Sequence, residues 1–336
     1  MVRPPTNGFG FPWQGDDICP CGTGLSFADC CLGNDGRPAM ALENLLPPPP
    51  VSGERQKGCY MAETADCGGG LSREHYISRG LIDGPELRVR GMPWQQEEVA
   101  HYSPDNLVAR ILCRRHNSAL SPLDAHAIRF FLAVEAGLNH AQRRSLSRQS
   151  QFFMTSGDGL ELWAMKTLAS LYASEIDFTT PGHRFRDFEP PMGQIVVELS
   201  SPNPRSLMKL SLPITQDAHE ERVGRRAVSI GPIVDDENGQ LSALLVRMHG
   251  IALVFNIDLP AEDSLPENEV ARPDMIDLIG IGRTSRVFLS WGKRRREGGI
   301  VQIRFGHPRT DRPAGSPDRG WDRRPLRGSK APAFRS

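Results

Sequence analysis

The chain of 336 residues has no uninterrupted apolar run near the ~18–20 residues that a bilayer-crossing helix needs. Its first residues also lack the basic-then-apolar pattern of a secretory signal, because residues 8–17 are broken by Pro12, Gln14 and two acids. Excess charge of either sign is missing too. Forty basic residues balance forty acidic ones, so no global field draws the chain toward nucleic acid, and any basic surface must be local. These absences point to a cytoplasmic protein with no membrane partner. Thiols stay reduced in the cytosol, so the seven cysteines call for an explanation other than disulfides. Their spacing points to metal.

Proline and glycine are abundant (28 and 33) and they cluster, which marks linkers and tails. The length suffices for two domains and a sizeable core. Residues 18–33 read ICPCGTGLSFADCCLG. Cys19 and Cys21 flank one residue, and after eight intervening residues come Cys30 and Cys31. Four thiolates so close in the chain, with Gly22 and Gly24 easing a tight turn, suit one tetrahedral zinc. A segment this short cannot bury a core, so metal would supply most of its folding energy. The Cys-Pro-Cys-Gly-Thr-Gly opening and Cys-Cys close resemble the SEC-C zinc motif, with Phe27 where that family has an aromatic. The family's lysine-rich middle is replaced by Leu25, Ser26, Ala28 and Asp29. The resemblance implies Cys19, Cys21, Cys30 and Cys31 as zinc ligands, and a protein partner docked through this module. The following stretch holds Pro47-Pro48-Pro49-Pro50, a polyproline spacer that would leave the module as a tethered bead. One helical turn is expected over residues 39–46.

Residues 59–124 carry the second set of chemistry-bearing side chains. They begin with Cys59, Cys67 and Gly68-Gly69-Gly70, then Glu74-His75, a short strand and turn over 87–95, Asp105-Asn106-Leu107, and Cys113-Arg114-Arg115-His116-Asn117. A Glu-His pair, a later Asn and a Cys-x-x-His-Asn block in this order resemble the HNH nucleases, whose ββα unit holds one divalent metal. The resemblance covers about a fifth of the chain. It implies His75 as general base, activating a water against a phosphodiester, for which a neutral imidazole suits. Asn106 would orient the His75 ring, and Glu74 with Asn117 would bind Mg²⁺ or a similar ion. Many of these proteins add a structural zinc, which Cys59, Cys67, Cys113 and His116 would complete. The spacing between Cys59 and Cys67 is wide for a knuckle, so one of them can be a bystander. Alternatively, His116 itself would bind the catalytic metal. A helix is expected from Ser121 as N-cap and Pro122 at the first position, running over 123–136 with Ile128, Phe131, Leu132 and Val134 inward. His126 reads as a surface residue.

Residues 139–150 read as a polar, basic loop in which Arg143, Arg144 and Arg148 form a solvated face or touch phosphate. Leu162, Met165, Leu168, Ala169 and Tyr172 then recur at helical spacing over 160–174, with Trp163 and Lys166 on the flanks. From residue 194 the period changes to two. Strands are expected at 194–199, 207–212, 227–234, 241–257, 284–291 and 300–305, with turns at 202–204, 236–239 and 249–250. Paired carboxylates and a phosphate-cradling loop are missing there, since Gly280-Ile281-Gly282 is too short a signal. Lys293-Arg294-Arg295-Arg296 ends a hairpin and can contact a nucleic-acid backbone or simply solubilise a turn. From Pro308 onward, eight basic and three acidic residues without periodicity read as a disordered basic tail.

The expected architecture is α+β. A SEC-C-like zinc bead spans 16–34, a Pro-rich linker 35–58, an HNH-like ββα-metal unit with covering helices 59–138, a helix with an antiparallel β-rich domain 139–305, and the tail 306–336. Two functions follow from the resemblances. One is a metal-dependent endonuclease acting on nucleic acid, DNA in the first instance, with zinc and Mg²⁺ as cofactors. The other is a non-catalytic zinc-binding adaptor that contacts protein or nucleic acid.

Overall fold

The computed structural model describes residues 12–304 apart from 22, 35, 37, 43–44, 83–86, 90–99, 144, 146–147, 175–178, 181–182, 185–189, 203, 205–206, 215–227, 236–239, 258–267 and 293–298. The 236–239 turn, the 293–296 basic run, the 306–336 tail, residue 203 of the 202–204 turn and the 90–95 part of the expected turn lie outside the described residues. The chain opens with α1 (Phe27–Cys30), β1 (Leu71–His75), β2 (Leu87–Val89), β3 (Ala100–Tyr102), β4 (Val108–Cys113) and α2 (Arg114–Ala141). It continues with β5 (Gln149–Ser156), α3 (Gly157–Ala173), β6 (Thr179–Thr180), β7 (His183–Arg184), α4 (Met192–Ser200) and β8 (Met208–Pro213). Seven strands close it: β9 (Val228–Val234), β10 (Leu241–Met248), β11 (Ile251–Ile257), β12 (Glu269–Ala271), β13 (Met275–Ile279), β14 (Arg283–Ser290) and β15 (Ile300–Arg304).

The α+β class holds, and α3 is the centre. Fourteen of its 17 residues are buried, so this helix is enclosed on nearly every side rather than apolar along one stripe. It packs on α2, α4, β8 and β14. Trp163 and Lys166, expected on the flanks, are therefore buried. Around it lie a five-stranded antiparallel sheet, β12-β8-β11-β10-β9, and a four-stranded sheet, β15-β13-β14-β5. The second is mixed: β13 pairs parallel with β15, and β14 pairs parallel with β5. This corrects the wholly antiparallel expectation. β5 itself is not among the expected strands: it begins in residues 149–150, read as loop, and runs through 151–156, for which no element is foreseen, because its partner β14 lies far along the chain and no local hairpin signal marks it.

α2 starts well before Ser121, capped by Cys113, and Pro122 lies inside it. A proline there removes the N–H that would reach the Ser118 carbonyl. The Ser121 hydroxyl donates to that carbonyl instead, at 2.9 Å, and the helix runs through. On α2, Phe131 and Val134 point inward as expected, but Leu132 is exposed, and Phe130 and His126 are buried. His126 packs where Gly159 leaves room; a Cβ there would come within 2.6 Å of its ring. The expected strand at 194–199 is the helix α4, which follows Pro190-Pro191 and buries Ile195, Val196 and Leu199 while Val197 faces out. The described residues of 39–46 hold no helix.

The N-terminal module is docked, not tethered. Trp13 lies 5.4 Å from the ring of Phe288 and 6.4 Å from that of Phe152, both on the mixed sheet, and 6.0 Å from Phe27. Cys19, Cys21, Phe27 and Cys31 share one cluster with Met40, Met154, Met275 and Phe288. The Pro-rich segment is strapped down as well: Arg115 Nη2 donates to the carbonyls of Pro48 and Pro50 at 2.5 and 3.0 Å. A boundary at 138/139 would fall inside α2, and one continuous core reaches from Leu45 to Ile303.

Candidate metal centres

Two groups of side chains have the donors and spacing for a metal: Cys19, Cys21, Cys30 and Cys31, and Cys59, Cys67, Cys113 and His116, each with its ligand atoms within 4.8 Å of one another. All seven cysteines are unbridged.

The first group is built by two tight turns around α1. Ser26 caps that short helix, accepting from the Asp29 N–H at 3.1 Å and donating to its carboxylate at 2.6 Å. This sets Cys30 and Cys31 against Cys21, with Sγ separations of 3.4 Å (Cys21–Cys30) and 3.6 Å (Cys30–Cys31). Four sulfurs about 2.3 Å from a tetrahedral zinc stand about 3.8 Å apart, so the group fits that ion. Burial pushes the Cys19 thiol up to about 11. At Cys21 burial is outweighed by hydrogen bonds to the Thr23 hydroxyl and backbone, which bring it down to about 6.

The second group joins three segments. Gly69 and Gly70 take positive φ (76° and 72°), which turns the chain so that the Gly70 and Gly68 carbonyls accept from the Arg114 and Arg115 N–H groups opening α2. Cys113 is the N-cap of α2, its sulfur accepting from the His116 N–H at 3.4 Å. That cap is the Cys-x-x-His knuckle, and it brings Cys113 Sγ to 3.1 Å from His116 Nδ1. Cys59 and Cys67 approach the same nitrogen at 3.6 and 3.8 Å, so neither is a bystander. The Thr64 hydroxyl gives its proton to the Met61 carbonyl at 2.8 Å, so toward His116 Nε2, at 2.9 Å, it accepts. The proton then sits on Nε2, and the Nδ1 lone pair faces the three sulfurs. Burial pushes Cys59 up to about 12 and raises Cys67. Burial also lowers His116, which keeps the ring neutral and able to ligate. This donor set fits zinc, and Thr64, which the sequence reading missed, orients its histidine.

The four residues assigned to catalysis lie close by, in different settings. β1 and β4 are antiparallel, with His75 opposite Val108 and Leu71 opposite Cys113. His75 Nε2 is buried with no hydrogen-bond partner among the described residues. Burial first, then the charges of Arg79 and Arg73, lower its pKa, so the ring is neutral at pH 7. Asn106 ends a short 3₁₀ turn after Ser103 and is exposed. Asn117 donates to Ser72 Oγ at 3.0 Å and hydrogen-bonds Glu74.

Glu74 is committed elsewhere. It is buried, and its Oε1 lies 2.7 Å from Lys166 Nζ, which also meets Asp124 Oδ2 at 2.6 Å. Asp124 Oδ1 accepts from the Ser78 hydroxyl at 2.5 Å, and Ser78 Oγ accepts from Trp163 Nε1 at 2.8 Å. Burial works against the Lys166 charge, yet the two carboxylates outweigh it and hold the ammonium protonated. Lys166 and Asp124 were given no role from the sequence; the available signal was a charge on the flank of the apolar stripe of α3, and once that flank is buried the charge is obliged to find a partner. A divalent ion on Glu74 and Asn117 does not fit this arrangement, because Lys166 and Ser72 already hold those groups.

No helix among the described residues is long and apolar enough to cross a membrane. No curated protein and no solved structure matches the chain. Residues 17–33 match the family model of the SEC-C motif, and they coincide with the four-cysteine group.

Proposed function

We propose that this chain is a zinc-stabilised, non-catalytic adaptor whose SEC-C module contacts a protein partner. The observation that carries this reading is that both metal centres are closed. Each offers four protein donors and leaves no position for water or substrate, which is the pattern of structural rather than catalytic zinc. The docked module also turns apolar side chains outward: Ile18 is 77% and Leu25 54% exposed, and a hydrogen bond from the Cys19 N–H to the Leu25 carbonyl holds the two segments side by side. Two such side chains on a metal-rigidified tip give a small contact surface with little ordering cost.

A second reading, an HNH-type endonuclease with His75 as base and Asn106 as its orienter, is favoured by one specific feature. The order β1, β4, α2 with a neutral His75 whose Nε2 is unclaimed matches what that chemistry needs of a base. The experiment that separates the two measures zinc content and cleavage of single- and double-stranded DNA and RNA, with and without Mg²⁺. Two zincs and no cleavage are expected. Mg²⁺-dependent cleavage that disappears in His75→Ala with zinc unchanged would replace the adaptor reading by the second.

A further inference from the structure

The polar group between β1, α2 and α3 is a finished network, not an open site. Trp163 donates to Ser78, Ser78 donates to Asp124, Lys166 bridges Asp124 and Glu74, and Asn117 ties Glu74 to Ser72. Ser72 Oγ in turn donates to the Leu112 carbonyl at 3.1 Å. Its members come from β1 (Ser72, Glu74), the segment just after it (Ser78), α2 (Asn117, Asp124) and α3 (Trp163, Lys166), so the network locks the β1–β4 pair and α2 onto the central helix. Its charge count is uneven: two carboxylates face one ammonium. The Asp124 side chain is 26% exposed, so this end of the network reaches solvent, whereas Lys166 at 3% does not.

We infer that Lys166 is the resident cation of this carboxylate pair: its ammonium occupies the place at Glu74 where the HNH resemblance implies a divalent metal, and the native chain takes no divalent ion there. The ammonium does for the two carboxylates what a metal would do structurally, since it neutralises, bridges and fixes them, but it offers no open coordination position and no Lewis acidity. Removing the lysine stem and its charge leaves two carboxylates around a vacated space open toward solvent at Asp124. A hard divalent cation, which takes oxygen donors and keeps several waters, suits that space. The inference rests on the adaptor reading only in sharing its lack of a catalytic metal; the zinc centres can be present or absent without deciding it.

The test uses full-length protein loaded with zinc and titrated with Mn²⁺, read by the loss of the free-ion electron paramagnetic signal. Wild type is expected to take up no Mn²⁺ that Glu74→Gln removes. Lys166→Ala is expected to take up one Mn²⁺ per chain that wild type does not, and Lys166→Ala with Glu74→Gln to lose it. If Lys166→Ala folds only weakly alone, Mn²⁺ should raise its thermal midpoint and leave that of wild type unchanged. A wild-type Mn²⁺ site abolished by Glu74→Gln overturns the inference, whether or not the variant folds. So does a folded Lys166→Ala that binds none. Nuclease activity enters neither outcome, so failure here and failure of the adaptor reading are told apart.

Discussion

A charge inside an enclosed helix is tolerated only with a partner, and α3 carries two. Glu161 is fully buried and accepts two bonds from Arg272, at 2.9 and 2.8 Å, plus the Leu210 N–H at 2.9 Å. Truncating Arg272 strands that carboxylate, so Arg272→Met should cost about 3–5 kcal/mol of stability, read from the denaturant midpoint at constant slope. His126 presents the opposite case, a titratable ring buried neutral. Burial first, and then Arg129, depress it to about 4, against an unfolded value near 6.5. A depressed folded pKa contributes stability that is fully present above pH 6.5 and is lost as pH falls toward 4, because the unfolded chain binds the proton first. His126→Leu should flatten the slope of stability against pH in that window by up to about 3 kcal/mol. His75 and His116 shift in the same direction, so some slope should remain in the variant.

At the level of elements, two positions show how local rules are overridden. Pro122 stands inside α2 with the Ser118 carbonyl rescued by Ser121. Pro122→Ala restores the backbone donor and should raise the thermal midpoint, by less than the roughly 3 kcal/mol of an uncompensated helix proline. Gly280 ends β13 against the C-terminus of α2, and a Cβ there would come within 1.7 Å of the Ala141 carbonyl oxygen. The obstacle is backbone and cannot rotate away. Gly280→Ala should therefore lower stability by about 3 kcal/mol or more in the same thermal assay, at the upper end of overpacking costs.

Across the whole molecule the two metal centres have unequal reach. The Cys59, Cys67, Cys113 and His116 group contains the cap of α2, and Cys59, Cys67 and Cys113 belong to the main core. The Cys19, Cys21, Cys30 and Cys31 group sits in a separate cluster on the outer side of the mixed sheet. Cys113→Ser should drop zinc from two to one per chain and remove a large fraction of the roughly 5–15 kcal/mol typical of a domain. Cys21→Ser should also drop one zinc yet leave the main unfolding transition near its wild-type midpoint. Metal analysis beside calorimetry reads both.

The first cluster and the Cys113–His116 knuckle were legible in the chain because ligand spacing there is a local property, set by turns and a helix cap. That Cys59 and Cys67 join the knuckle was implied only by the resemblance, since they lie 57 and 49 residues from His116. The β10–β11 hairpin was legible for the same local reason, since His249 (φ 50°) and Gly250 (φ 81°) make its turn. What stands opposite a residue is not local. Periodicity in α3 could not name Glu74 and Asp124 as the partners of Lys166, nor β14 as the partner of β5. Composition showed a Pro-rich spacer, and only Arg115 and Trp13 turned spacer and bead into packed parts of the fold. The sequence by itself determined which side chains can hold metal. Tertiary structure decided that Glu74 is held by a lysine, because a buried carboxylate must be neutralised by whatever cation the packing brings within reach.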